Sequence, residues 1–430
     1  MLLAVNAGIL AGSFQSTSHQ IVRFPFLPLE LQVVNQACQK NRTVKQLHNC
    51  LLMLSILLTA GSSLQAITIS EVVFFGDSLS DIGNTSSWSL GFVPGSAYWN
   101  GRFSNGPVFS ERLSVKLGQG TLASSTAGGN NYAYGGAQTT GTGGVNGWLI
   151  DDLDEQVDDF LENQTASAET LFVVLAGSND FLNSSQTNVS ATVANIAEDL
   201  TRLHAAGARQ MLVLNLPRLG DTPRFNGSVS LSNTMNARTD NFNHQLAVTL
   251  DGLSENLADL VLVQYDLASL FQEVLSTPGQ YGLTNVTSPA APGLDAGDLF
   301  YSSGNVVSNP EDYLFWDEIH PTTTGHALVA QDIFDTLESF DPNGDFDNSG
   351  IVDAADYTLW QDHLGLNSSV LNGHGSGAST VLQVDYQLWD THFGEIVANG
   401  SQANRIPEPA SILLALCALT ACRWARTMNR

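Results

Sequence analysis

Four short apolar runs mark the middle of the chain. Glu71-Val-Val-Phe-Phe75, Leu171-Phe-Val-Val-Leu175, Met211-Leu-Val-Leu-Asn215 and Leu260-Val-Leu-Val-Gln264 are rich in β-branched and aromatic residues. Such runs suit strands buried on both faces of a parallel sheet. Between them, Asp154-Glu-Gln-Val-Asp-Asp-Phe-Leu161 and Val193-Ala-Asn-Ile-Ala-Glu-Asp-Leu-Thr-Arg-Leu203 carry apolar residues at helical spacing. Strand and helix in alternation predict a doubly wound α/β domain, with its site at the carboxyl ends of the strands.

The first two strand candidates run straight into polar clusters. In Phe75-Gly-Asp-Ser-Leu-Ser-Asp81, Gly76 permits a tight turn that presents the Ser78 hydroxyl. Backbone N–H groups at such a turn can meet a developing oxyanion. In Gly177-Ser-Asn-Asp180, Asn179 can donate its side-chain amide to an oxyanion or simply shape a turn. Asn131-Tyr-Ala-Tyr-Gly-Gly-Ala137 offers N–H groups without side-chain obstruction, and Trp316-Asp-Glu-Ile-His-Pro-Thr322 puts a carboxylate three residues before an imidazole. Asp317 could therefore orient and charge-stabilise His320. Each cluster alone also reads as an ordinary polar turn. Together they supply a nucleophile, oxyanion donors, a base and its orienting acid, the parts that acyl transfer needs.

The four blocks, in this order, resemble the GDSL or SGNH family of serine esterases and lipases, over about residues 70–340. Lesser matches are Gly101-Arg-Phe-Ser-Asn-Gly106, Asn215-Leu-Pro-Arg-Leu-Gly220 and Thr324-Gly-His326, which point to the longer, phospholipase-like branch. The resemblance implies a three-layer α/β/α, flavodoxin-like parallel sheet. It also implies Ser78 as nucleophile, His320 as general base and Asp317 as the residue holding the imidazole. The oxyanion hole would be the N–H of Ser78, the N–H of Gly136 and the Asn179 amide, with Gly135 as the alternative register. No cofactor is expected for catalysis. Gly-x-Ser-x-Gly is absent, so the elbow of the α/β-hydrolases is a different arrangement.

Other residues have plainer readings. Asp77, Ser80 and Asp81 read as turn and helix-start residues, and Asp180 as an anchor for its loop. His326 opens a last amphipathic helix to Leu337 and reads as structural; His204 and His244 lie in helical patterns without metal-ligand partners. The glycine-rich stretch at 141–147 does not fit a dinucleotide fingerprint and reads as loop. Trp88, Phe92, Tyr98 and Trp99 fit an acyl pocket, a core or a surface equally well.

After Phe340 the composition shifts. Asp345, Asp347, Ser349, Asp353 and Asp356 stand at positions 1, 3, 5, 9 and 12 of a loop, with Gly350 at position 6 and the Ile351 carbonyl at position 7. An EF-hand-like loop wraps a hard cation in this way, although Asp356 replaces the usual Glu. With the helix Tyr357-Thr-Leu-Trp-Gln-Asp-His-Leu364 the segment resembles a dockerin repeat, and Val384-Asp-Tyr-Gln-Leu-Trp-Asp-Thr-His-Phe393 is similar to the helix of a second. The second loop has His374, Ser376, Ala378, Thr380 and Leu382 before Asp385, so its ligands are largely gone. One calcium site is expected, and a second is doubtful. A dockerin implies a cohesin-like partner; a degenerate one fits a spacer as well.

Charge and cysteine separate the body from its ends. Of the 16 Lys and Arg, Arg23, Lys40, Arg42, Lys45, Arg423, Arg426 and Arg430 lie in the flanks, whereas of the 42 acids only Glu30 and Glu408 do. A formal charge of −26 excludes a nucleic-acid partner and disfavours anionic lipid surfaces. Cys38, Cys50, Cys417 and Cys422 are all flanking, so the body has no thiol-based framework. Arg42 and Lys45 before the apolar run 50–60 and small residues to Ala66 predict a secretory signal, too short to span a bilayer at about 20 residues. The length preceding Arg42 points to a translation start placed too far upstream. Pro407-Glu408-Pro409, the apolar run 410–422 and Arg423 to Arg426 resemble a PEP-CTERM sorting signal, which implies envelope sorting machinery as a partner.

The expected organisation is an N-terminal extension and signal (1–66), an SGNH hydrolase domain (67–340), a small α-helical dockerin-like module (341–394), a linker (395–406) and a sorting tail (407–430). The expected function is an exported serine ester hydrolase at the cell envelope or secreted, acting on a lipid or an acylated carbohydrate. The alternatives are a polysaccharide acetyl esterase of the same fold and a catalytically silent surface adhesion or scaffold protein.

Overall fold

The computed structural model describes residues 69–397 except 142–149, 183–187, 258, 297, 299–300, 302–304 and 341. The expected signal and sorting segments lie outside the described residues, as do most of the 141–147 loop and all but the start of the 395–406 linker.

In chain order the described elements are β1 (Glu71–Gly76), α1 (Asn84–Trp88), α2 (Phe109–Lys116), α3 (Leu153–Asn163), β2 (Thr170–Leu175), α4 (Ser178–Leu182), α5 (Val189–Ala205) and β3 (Gln210–Leu214). They continue with α6 (Pro223–Asn226), α7 (Val229–Asn256), β4 (Val261–Tyr265), α8 (Leu267–Ser276), β5 (Asn285–Pro289), β6 (Tyr313–Phe315), α9 (Thr323–Ser339), α10 (Ala354–His363) and α11 (Gln383–His392). The four apolar runs form β1 to β4, a parallel sheet in that spatial order. β2 and β3 are buried along their whole length, the pattern of a sheet covered on both faces. Phe75 stands among Phe160, Phe172 and Tyr132, at ring separations of 5.9, 6.4 and 5.6 Å. Burying such a side chain contributes about 2–3 kcal/mol.

On the far side of β1 the chain at Asn131 makes a parallel bridge to Phe74. The segment leaving β1 therefore goes first to one side and then crosses to β2 on the other. That reversal is the topological switch point of a flavodoxin-like sheet, where such folds place their sites. It falls at the carboxyl end of β1, immediately before Ser78.

Two features exceed the sequence-based expectation. Helix α7 has 28 residues, yet buries only Met235, Thr239, Phe242, Leu246, Leu250 and Ser254, a narrow stripe in a polar segment. The parallel pair β5 and β6 joins residues far apart in sequence, a pairing that no local pattern announces.

The C-terminal module holds α10 and α11 around Phe346, Trp360, Leu371 and Val381. Its two halves share one hydrogen-bond pattern. Asp356 accepts the N–H groups of Asp347 (2.9 Å) and Asp353 (2.8 Å), and Asp385 accepts those of Ser376 (2.6 Å) and Leu382 (2.7 Å). The second loop faces the hydrolase domain. Its Ser379 N–H and Thr380 hydroxyl donate to Asp251 of α7 (3.1 and 2.8 Å), and its Gly377 carbonyl accepts the Gln264 N–H of β4 (3.2 Å). These contacts dock the loop onto α7 and β4, the last strand of the four-stranded sheet, where the Gly377 carbonyl takes up a backbone N–H of that edge.

Candidate active site

The turn after β1 is built from both sides. Gly76 has φ +141°, and a Cβ there would lie 2.1 Å from the Leu175 carbonyl oxygen of β2, so only glycine fits. Its N–H donates to the Gln156 side chain of α3 (2.8 Å), and its carbonyl accepts from the Gln156 amide (2.9 Å) and the Tyr134 N–H (3.1 Å). Asp77 accepts the Leu79 N–H (3.0 Å), and its carbonyl oxygen takes the N–H groups of Ser80 and Asp81. Burial pushes the Asp77 carboxyl up, offset by the Ser178 hydroxyl that donates to it. This bond ties the residue before Ser78 to the residue before Asn179. Asp81 accepts N–H groups of Gly83, Asn84 and Gly135, in keeping with its reading as a turn residue.

Ser78, Asn179 and His320 line one cleft. Ser78 Oγ lies 2.9 Å from His320 Nε2, and His320 Nδ1 lies 2.6 Å from Asp317 Oδ2. Asp317 is buried; its Oδ1 accepts the N–H groups of Ile319 (2.8 Å) and His320 (2.7 Å), and its Oδ2 also accepts the Tyr98 hydroxyl (2.6 Å). Burial alone pushes the Asp317 carboxyl up, but His320 and these hydrogen bonds outweigh it and hold the group below the ordinary carboxylate range. The pair is therefore arranged for an ionised acid beside an imidazole whose Nδ1 bears the proton.

The Asn179 amide donates to the Ala137 carbonyl (3.0 Å), and Asn179 lines the same cleft as Ser78. Asp180 anchors the same loop, accepting the Thr139 hydroxyl (2.7 Å) and N–H (3.0 Å). Between the two candidate glycines the geometry discriminates. The Gly135 N–H is taken up by Asp81 Oδ2 (2.9 Å) and the Thr85 hydroxyl (2.7 Å), whereas Gly136, at φ +90°, follows in the turn with its N–H one residue nearer Ala137. Ser78 and Asn179 both line the cleft.

Sequence reasoning left several contributors unassigned. Tyr98 was one of four interchangeable aromatics; Trp88, Phe92 and Trp99 are exposed, while Tyr98 is buried against Asp317. Phe103 packs its ring 5.2 Å from that of His320, the Ser104 hydroxyl donates to the Pro321 carbonyl (2.9 Å), and Asn105 accepts the Thr323 N–H (2.8 Å). The Gly101 to Gly106 block thus braces the histidine loop, a role that its sequence alone does not express. The apolar wall of the cleft comes from Leu182, Leu216, Leu219, Phe271, Leu275 and Phe315, on four separate segments. His326 is buried, accepts the Phe109 N–H (3.2 Å), and is held near pH 3 by burial, His320 and Arg112, in keeping with a structural role. His204 pairs with Asp259 (2.8 Å), and His244 is exposed on α7.

In the C-terminal module the carboxylates of Asp345, Asp347 and Asp356 converge, with one oxygen of each within 4.8 Å of the others. Asp345 and Asp356 are buried, Asp347 is exposed, and burial pushes the Asp356 carboxyl up. Ser349 lies beside them, its N–H donating to Asp345 (2.9 Å) and its hydroxyl to the Ile351 carbonyl (3.2 Å). Asp353 donates its N–H to Asp356 (2.8 Å), while its carboxylate caps α10 through the Ala355 N–H (2.7 Å) and is not one of the three that converge.

The fold and the site together define an α/β protein with a serine, a histidine and a buried carboxylate aligned at its switch point. The chain belongs to the GDSL-like Lipase/Acylhydrolase family, whose model matches residues 72–333, and it is a carboxylic ester hydrolase. It is 28% identical over 338 residues to a phosphatidylcholine-sterol acyltransferase of Aeromonas hydrophila, an alignment spanning 67% of this chain and 96% of the relative. It is 29% identical over 292 residues to a thermolabile hemolysin of Vibrio parahaemolyticus, spanning 64% and 65%. A GDSL esterase/lipase of Arabidopsis thaliana is 27% identical over 313 residues, spanning 62% and 82%.

Asn179→Ala is expected to lower kcat by about 10²–10³-fold with little change in KM, the loss typical of one oxyanion donor. Steady-state kinetics on a soluble ester checks this, and a loss confined to KM would assign Asn179 to ground-state binding instead.

Proposed function

We propose that this chain is an exported serine ester hydrolase that cleaves acyl esters of lipids through an acyl-enzyme on Ser78. The observation that carries the reading is the line of contacts from Ser78 Oγ to His320 Nε2 (2.9 Å) and from His320 Nδ1 to Asp317 Oδ2 (2.6 Å). In it, Ser78 Oγ attacks the ester carbonyl while His320 Nε2 takes its proton. The oxyanion is met by the N–H groups of Ser78 and Gly136 and by the Asn179 amide. The tetrahedral intermediate collapses, the alcohol leaves with the proton from His320, and water repeats the sequence on the acyl-enzyme to release the acid.

The apolar wall of the cleft supports an acyl group longer than acetyl. The Aeromonas relative is named for a phosphatidylcholine substrate, which supports a lipid ester, and a zwitterionic headgroup suits a chain of formal charge −26 better than an anionic one. Export and envelope sorting are supported by the ordered charged, apolar and small residues at 42–66 and by the 407–426 pattern.

The test is hydrolysis by the full chain of esters from acetyl to long chain, with phosphatidylcholine and acetylated xylan included and a Ser78→Ala control. Preference for long acyl chains supports the reading. Preference for acetylated xylan would favour the polysaccharide esterase, and no activity from a folded protein would favour a surface adhesion role.

The C-terminal module is proposed to bind one calcium ion through Asp345, Asp347, Ser349, the Ile351 carbonyl and Asp356, with Asp353 reaching it through water. Bound at 100 times its Kd, the ion would stabilise the fold by about 2.7 kcal/mol. Calcium is expected to raise the melting temperature of the module in the full chain, and Asp345→Ala to abolish that rise. Identical melting in calcium and in chelator would remove the site. The docking of the second loop onto Asp251 and Gln264 supports a fixed role for the module within the enzyme, with any cohesin-like partner restricted to its first loop and helices.

A further inference from the structure

We propose that Tyr98 is a positioning residue for the reaction, its hydroxyl governing how much of the Asp317 charge His320 feels and so where the acid limb of the pH profile falls. The proposal rests on the reading of Ser78, His320 and Asp317 as the catalytic triad.

Asp317 Oδ2 accepts two hydrogen bonds of equal length, 2.6 Å from His320 Nδ1 and 2.6 Å from the Tyr98 hydroxyl. Oδ1 is satisfied by two backbone N–H groups. Tyr98 is thus the one donor to this carboxylate, among the described residues, that is neither backbone nor the imidazole itself. The groups facing the pair are few. Asp77 and His326 interact with His320, while Asp295 and Arg224 lie near Tyr98 and pair with each other at 3.6 Å. Burial and the neighbouring Asp317 push the Tyr98 phenol far above its usual range, so it stays a neutral donor at every working pH.

A donor to a carboxylate stabilises its charge and lowers its basicity. With the Tyr98 hydroxyl in place, part of the Oδ2 charge is spent on the phenol. Without it, that charge falls on the Nδ1–H of His320 and favours the imidazolium. The base then stays protonated to higher pH, and kcat/KM is lost at a higher pH as acid is added. The ring itself also packs, 6.1 Å from Phe103 and beside Trp316 and Leu294. A phenylalanine preserves that packing and removes only the oxygen.

The experiment is the pH profile of kcat/KM for the full chain on a soluble short-chain ester. Three proteins are compared: the parent, Tyr98→Phe, and a chain with 3-fluorotyrosine at position 98, whose hydroxyl is the stronger donor. Tyr98→Phe is expected to move the acid limb up by about one pH unit, tenfold in the protonation equilibrium of the imidazole, and to leave the plateau within about threefold. The fluorinated residue is expected to move the limb down. Limbs that coincide with the parent's, or shifts of the opposite sign, would overturn the proposal. If Tyr98→Phe does not fold, the fluorinated chain decides alone, because it differs by one small atom. Full activity in Ser78→Ala would overturn the triad reading itself, whatever the limb does.

Discussion

Replacing Ser78 by alanine is expected to lower kcat by roughly 10⁵-fold while leaving the fold and the melting temperature of the parent intact. In the proposed mechanism the Ser78 hydroxyl is the attacking group. His320 Nε2 lies 2.9 Å from it, and the turn that carries it is held by Gln156, Asp77 and the β1 terminus rather than by its own hydroxyl. Alanine removes the attacking atom and disturbs none of these supports. Asn179 and the backbone donors remain, so slow hydrolysis above the uncatalysed rate is expected to survive. The measurement is kcat on a soluble ester together with circular dichroism of the same sample. A variant within tenfold of the parent would mean that another group attacks the ester.

Asp317→Asn is expected to cost roughly 10⁴-fold in kcat with a small effect on stability. The reason lies in the four donors around the carboxylate. The N–H groups of Ile319 and His320 point at Oδ1, at 2.8 and 2.7 Å, so the asparagine must keep its oxygen there. Its NH₂ then takes the place of Oδ2 and faces His320 Nδ1. It donates to that nitrogen and holds the imidazole with its proton on Nε2. That nitrogen faces Ser78 and must be bare to accept the serine proton, so the variant keeps its geometry in the wrong tautomer. Kinetics at neutral pH and thermal melting check both halves. A loss below tenfold would show that the acid does not control the tautomer, and a collapse in melting temperature would show that its main role is structural.

Much of the site was legible because acyl transfer needs particular residue types, and three of them stand in short turns directly after strands or loops. Ser78, Asn179, Asp317 and His320 could be named without coordinates, and the four strands followed from short apolar, β-branched-rich runs of the kind that suit a sheet covered on both faces. The three-residue spacing of Asp317 and His320 puts their contact within one turn, where local sequence suffices. The register between Gly135 and Gly136 did not follow, because adjacent glycines are equivalent until Asp81 and Thr85 claim one of the two N–H groups.

The sequence alone determined the chemical inventory, the alternation of strand and helix, and the contrast between an acidic body and basic, apolar ends, all of which are local or compositional properties. Tertiary structure decided which distant groups meet: Tyr98 with Asp317 across 219 positions, Ser78 with His320 across 242, and the second loop of the C-terminal module with Asp251. It also chose Tyr98 from four similar aromatics and assembled the cleft wall from four segments. Such contacts depend on how the packed sheet and its loops close on one another, and a residue's local neighbours carry no trace of that closure.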